Sequence, residues 1–150
     1  MLVRTLAVSS LLFLAGCAQS PSTPDAAAQP HAKAIEAFAA VCLKTAPSFD
    51  GAAEAATRAG IVELQDMGFM RMGFSADKSL AVQLSAKECV ITTPNQQDDS
   101  LTGQLLAAAK PYSQSPLAAS VPTKLRIQGE TFILHHDRKG GEAYVLMRSN

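Results

Sequence analysis

The sequence predicts an α+β domain in which an antiparallel β-sheet carries helices packed on one face, with elements in the order ααβββαβββ. Three observations lead there. Apolar residues recur at three- and four-residue spacing between Ile35 and Leu43, the period of a helix. Leu80, Val82 and Leu84 alternate with Ala81, Gln83 and Ser85, the period of a half-buried strand. A second helical segment near Asp98 is again followed by stranded segments, so two halves, each helical and then stranded, succeed one another.

The first helix begins at Lys33 and sets Ile35, Phe38, Ala39, Cys42 and Leu43 on one face. Pro47 ends it, because proline donates no amide hydrogen and crowds the preceding turn. Ser48 and Asp50 offer capping oxygens to an alanine-rich second helix through Arg58, with Gly60 as its C-terminal stop. The short connection predicts an antiparallel helix pair. Strands are then expected at Phe69 to Met72, Leu80 to Leu84 and Glu88 to Thr93, with Cys89, Ile91 and Thr93 on one side. Asp98, Asp99 and Ser100 open a helix carrying Leu101, Leu105 and Leu106, the acidic groups suiting its positive end. Pro111 stops it. Three more strands are expected at Lys124 to Gln128, Thr131 to His136 and Ala143 to Arg148, with Asp137-Arg138-Lys139-Gly140-Gly141 as the turn between the last two.

Upstream of the domain, Arg4 and the free amine supply charge, Leu6 to Leu14 an apolar core, and Ala15-Gly16 small residues, the three parts of a secretory signal. About 9 apolar residues would span about 13 Å as a helix, against about 30 Å of hydrocarbon, which is too short for a transmembrane anchor. Leu14-Ala15-Gly16-Cys17 resembles the lipobox of bacterial lipoproteins. The resemblance implies that the Cys17 thiol is acylated with diacylglycerol, that residues 1–16 are removed, and that the new amine is acylated in turn. One acyl chain binds a bilayer reversibly, whereas two or more hold firmly at about 0.8 kcal/mol per buried methylene. Ala18 occupies the position where an aspartate is the inner-membrane retention signal, so the resemblance implies the outer membrane, with the domain in the periplasm. The alternative is an ordinary secretory signal followed by a chance cysteine, giving a secreted periplasmic protein.

Residues 17–32 carry Pro21, Pro24 and Pro30 among Ser, Thr, Gln and Ala, without apolar periodicity. They are expected to form the lipidated N-terminus and a tether reaching on the order of 20 Å, in which His31 is solvated. Residues 33–150 are one domain's worth of chain. Thirteen basic residues stand against thirteen acidic ones, with no run of either, which argues against nucleic acid and a polybasic membrane patch as partners. Trp is absent and only Tyr112 and Tyr144 are present, leaving no aromatic platform for sugars or single-stranded nucleic acid. Tyr112 lies in the Pro111 to Pro122 segment, the longest irregular stretch and a surface where binding could occur.

With Cys17 set apart, Cys42 and Cys89 remain, and an oxidising envelope compartment would join them as a disulfide pinning the first helix to the sheet. On the chain-entropy account, closing a loop of about 48 residues stabilises by about 4 kcal/mol. Phe38-x-x-x-Cys42, Thr45-Ala46-Pro47-Ser48-Phe49 and Cys89-Val90 are similar to stretches of small bacterial envelope proteins, a resemblance that implies no particular activity.

Few residues suggest catalysis or metal binding. Cys42 as a catalytic thiol would need His135 or His136 as base, but it falls on the apolar face with Ile35 and Phe38 and outside any Cys-x-x-Cys. His135 and His136, as strand neighbours, point to opposite faces and cannot readily share a metal, so one should face the helices and the other solvent. No serine sits in Gly-x-Ser-x-Gly, and Gly140-Gly141 belongs to a hairpin rather than a phosphate loop. Met67, Met70 and Met72 could hold Cu(I) through thioethers, or Met70 and Met72 could simply line one face of a strand with Phe74. The chain is therefore expected to be a non-enzymatic, lipid-anchored binding module without cofactor, catalytic residue or metal ligand, whose partners are the membrane and another envelope component. The alternatives are a small envelope hydrolase or thiol enzyme, and a soft-metal binder.

Overall fold

The computed structural model describes residues 32–149. Cys17, the predicted signal segment and the tether up to His31 lie outside the described residues. Helix α1 spans Lys33–Phe38 and passes without a break into a π-helical turn, Ala39–Leu43; α2 spans Ala52–Arg58. Four strands follow: β1 Gln65–Asp66, β2 Arg71–Phe74, β3 Ala81–Leu84 and β4 Glu88–Thr93. Helix α3, Leu101–Ala109, ends in a 3-10 turn at Lys110–Tyr112 and leads to β5 Thr123–Ile127, β6 Glu130–Asp137 and β7 Glu142–Arg148. No helix among the described residues is long and apolar enough to cross a membrane.

All neighbouring strands are antiparallel, in the spatial order β1-β2-β3-β4-β7-β6-β5. The first four form a meander, α3 carries the chain to the far edge, and β6 and β7 return until β7 pairs with β4. The inward residues of the sheet, among them Val82, Leu84, Ile91, Leu125, Phe132, Leu134, Tyr144 and Leu146, form one buried cluster with Ile35, Phe38 and Val41 of the first helix, Ala52 and Ala56 of α2, and Leu101 and Leu105 of α3. Helices thus cover one face, as the alternation predicts. Cys42 and Cys89 are disulfide-bonded with their Cα atoms 5.5 Å apart, and neither is exposed.

The observed order is ααββββαβββ, one strand more than predicted. The extra strand, β1, is two exposed polar residues held by the pairing of Gln65 with Met72, so it leaves no apolar alternation to detect. The strand expected at Phe69 to Met72 is displaced to Arg71–Phe74. Asp66 Oδ1 accepts the Gly68 amide at 2.7 Å, and the Met67 amide donates to Met70 O at 2.8 Å, so Phe69 and Met70 belong to a tight turn. The capping residues also differ. Gly51, at φ +71°, precedes α2, while Ser48 Oγ accepts the Asp50 amide within the preceding turn. Ser100 precedes α3 without a side-chain cap, and Asp98 Oδ1 accepts from both its amide and its hydroxyl.

Gly73 sits on the buried side of β2 opposite Val82. A β-carbon there would lie 2.7 Å from Glu63 O and 3.0 Å from Ile61 Cγ2. Gly73→Ala is therefore expected to destabilise by about 1–3 kcal/mol, read as a lower urea midpoint with an unchanged slope.

Candidate functional site

The inward alternation of β6 and β7 extends past the apolar core to His136 and Glu142, whose side chains are 0% exposed. A carboxylate buried there needs partners, and it has three. Arg138, reaching back across the hairpin turn, donates Nε to Glu142 Oε2 at 3.1 Å and Nη2 to Oε1 at 3.2 Å. The Gln96 amide donates to Oε1 at 3.3 Å, and His136 Nε2 lies 2.8 Å from Oε2. Burial works to raise the Glu142 carboxyl, but the Gln96 amide, Arg138 and His136 together hold its pKa below the usual carboxylate range.

With Glu142 ionised, His136 Nε2 carries the proton and donates to it, which leaves Nδ1 to accept from Thr102 Oγ1 at 2.9 Å. Thr102 stands on the first turn of α3, and Arg138 Nη1 also lies 3.5 Å from Asp99 Oδ1 in the approach to that helix. The cluster therefore ties the β6–β7 hairpin to the start of α3. Tyr144 stacks on His136 at 4.6 Å between centroids, and burial pushes its phenol up to about 12. Hydroxyl, imidazole and carboxylate form the order of a relay, but Arg138 already compensates the charge that would stabilise an imidazolium.

Burial lowers the His136 pKa from 6.5, outweighing the pull of Glu142. Folded His136 is thus harder to protonate than unfolded His136, and its stability contribution is complete above pH 6.5 and is lost progressively as the pH falls below that value toward the lower folded pKa. Glu142 acts in the same sense further down, since a carboxyl depressed in the fold loses its contribution below its ordinary value of 4.5. Melting temperature is expected to fall between pH 7.5 and 5.5, and His136→Gln to flatten that slope.

The second feature lies at the other end of the strands. The turn joining β1 to β2 presents Met67 and Phe69 to solvent, 56% and 77% exposed, on a backbone fixed by the Asp66 and Met70 hydrogen bonds. Beneath this apex, a cleft of about 550 Å³ opens toward the Ser48–Gly51 turn, with Asp50, Arg71 and Ser85 in its walls.

Of the residues singled out in the sequence, Cys42 carries no thiol, because its sulfur is bonded to that of Cys89. His136 faces the helices and His135 the opposite side of the sheet, as expected. Met67 and Met70 flank one turn, and Met72 lies in β2 opposite Gln83. No group of three or more His, Cys, Asp or Glu among the described residues could hold a metal ion. Tyr112 closes the 3-10 turn and packs half-buried against the core. Thr102, Arg138 and Glu142 were not anticipated. Carrying the inward parity of Tyr144 and Leu146 back by one step would have found Glu142 and, four residues earlier, the arginine that pairs with it. No protein-family model, curated protein or solved structure matches the chain.

Proposed function

We propose that this is a lipid-anchored envelope lipoprotein whose domain is a non-enzymatic binding module, held at the outer membrane through Cys17 and engaging an envelope partner through the β1–β2 apex. The observation behind this reading is the opposition of two ends. Lys33 Nζ approaches Asp77 Oδ2 at 4.0 Å, so the domain begins beside the turn that follows β2, whereas Met67 and Phe69 stand beyond the start of β2. A tether leaving from residue 32 would set the apex facing away from the lipid. An exposed aromatic on a rigid turn is the kind of anchor that fills a partner's pocket.

Two measurements test the parts separately. A photo-reactive residue at position 69 of the full chain should give a reproducible adduct in intact cells that Met67→Ser abolishes and the same probe at Thr57 does not give. No adduct above the Thr57 control overturns the binding reading. Fractionation of Cys17→Ala should release the protein from membranes, and retention there overturns the anchor.

One observation favours a hydrolase as second reading, the 2.9 Å contact of Thr102 Oγ1 with His136 Nδ1. Thr102 would be the nucleophile and His136 its base. Ester turnover that Thr102→Val abolishes while the fold survives would establish it; turnover unchanged by that substitution, or none, would dismiss it.

A further inference from the structure

We propose that the helix-free face of the sheet is a two-fold interface between two copies of this chain. Strand register orders this face into rows, three across its middle and a fourth, Arg126 and Thr131, beyond them. The central row runs through Met72, Gln83, Val90, Val145 and His135. On one side lie Glu88, Met147, Ile133 and Lys124; on the other lie Phe74, Ala81, Thr92, Ala143 and Asp137. No described helix covers these rows, yet Phe74 and Met147 are 49% and 42% exposed.

The two outer rows are complementary to each other. The first carries Met147, 42% exposed, and Ile133 as its apolar side chains, with Glu88 and Lys124 at its ends. The second is hollow: Ala81, Thr92 and Ala143 line a depression of about 410 Å³, walled by Phe74 and rimmed by Lys78, Lys139 and Asp137. A two-fold axis lying in the plane of the interface, across the strands and along the central row, sets each outer row on the other row of the second copy. Met147 then enters the hollow over Ala143, Glu88 is set on Thr92 inside the lysine rim, and Ile133 is set on Asp137, which Lys124 also comes within reach of. Val145, which keeps part of its surface in the single copy, meets its own equivalent on the axis, as an isologous contact requires.

The size is adequate for a weak dimer. Seven strands, about 4.8 Å apart and about 17 Å tall over five residues, present about 500 Å² per copy. Two such faces give about 1,000 Å², the lower limit for a specific interface, so a weak, reversible dimer is expected. The competing route, strand addition at an edge, is hindered on both sides. The Gln114 amide donates to Arg126 O and the Ala118 amide to Thr123 Oγ1, laying the loop after α3 along β5, and β1 offers only two residues.

The test uses the full chain with Cys17→Ala, so that an added cysteine is the only free thiol beside the Cys42–Cys89 bond. Facing sheets stand about 10 Å apart, too far for a direct disulfide and within reach of a short bismaleimide. Val145→Cys should give a covalent species of twice the chain mass, and Thr57→Cys, on the helical side, should not. Lys124→Asp and Asp137→Lys should each reduce the yield several-fold, and together restore it. Sedimentation equilibrium over a concentration range from roughly 5 to 500 µM, suited to a small interface, should show a reversible monomer–dimer equilibrium. A chain that stays monomeric throughout, equal yields at Val145 and Thr57, or adducts only of other masses would overturn the proposal, the last by assigning the face to a different protein.

Discussion

Glu142→Leu is expected to lower stability by about 3–5 kcal/mol, because removing one partner of a buried ion pair leaves the other groups unsatisfied. The substitution strips Arg138 of two hydrogen bonds and leaves the His136 Nε2–H and the Gln96 amide without their acceptor. Arg138 is 31% exposed and can turn to water or Asp99, whereas His136 is enclosed, so most of the loss falls on the imidazole. At this chain length the melting temperature should drop by roughly 10–15 °C. Pairing Glu142→Leu with His136→Phe removes both ends of the contact, and the double variant should recover about 1–3 kcal/mol relative to additivity. Strict additivity in that cycle would show that the two residues stabilise the fold independently.

Loss of the disulfide should be of similar size. Cys42 and Cys89 are 47 residues apart, and on the chain-entropy account releasing a loop of that length costs about 4 kcal/mol. Cys42→Ala with Cys89→Ala should shift the denaturant midpoint by that amount, and adding a reductant to the unaltered protein should reproduce most of the shift. Because both sulfurs are fully buried, the alanines also leave unfilled space, so the double variant should fall slightly below the reduced protein. A reduced protein as stable as the oxidised one would show that helix and sheet are held by packing alone.

The strands that flank the core were legible because burial imposes a period of two. Val82, Leu84, Cys89 and Ile91 point inward as their spacing required, and Asp137 to Gly141 form the turn their chemistry indicated. The failures share a physical cause. Phe69 is apolar yet 77% exposed, so a pattern that equates apolar with buried misplaces β2. Ser48, Asp50 and Asp98 are capping types, but their hydrogen bonds close local turns, a competition decided by backbone geometry rather than residue type. The buried cluster was half visible. His136 stood out, whereas Glu142 was concealed by its position beside the glycines of the turn, where charge is ordinarily solvated. Thr102 meets His136 only because α3 folds back over β6, a contact across 34 residues that no local pattern carries.

The strand order bears on how the chain is made. β7 is the last strand of the fold in chain order, yet it lies between β4 and β6. The meander of residues 65–93 can form early from local contacts, but it leaves β4 as an open edge until residue 142 and beyond have emerged. A nascent chain therefore passes through a stage with its sheet in two unjoined pieces, the stage most exposed to edge pairing with other chains. The final residues also bind early ones, since Arg148 Nη2 donates to Pro47 O at 2.6 Å. A chain cut before β7 would thus lack the strand that joins its halves, and chaperone dependence during synthesis should track the time taken to deliver those residues.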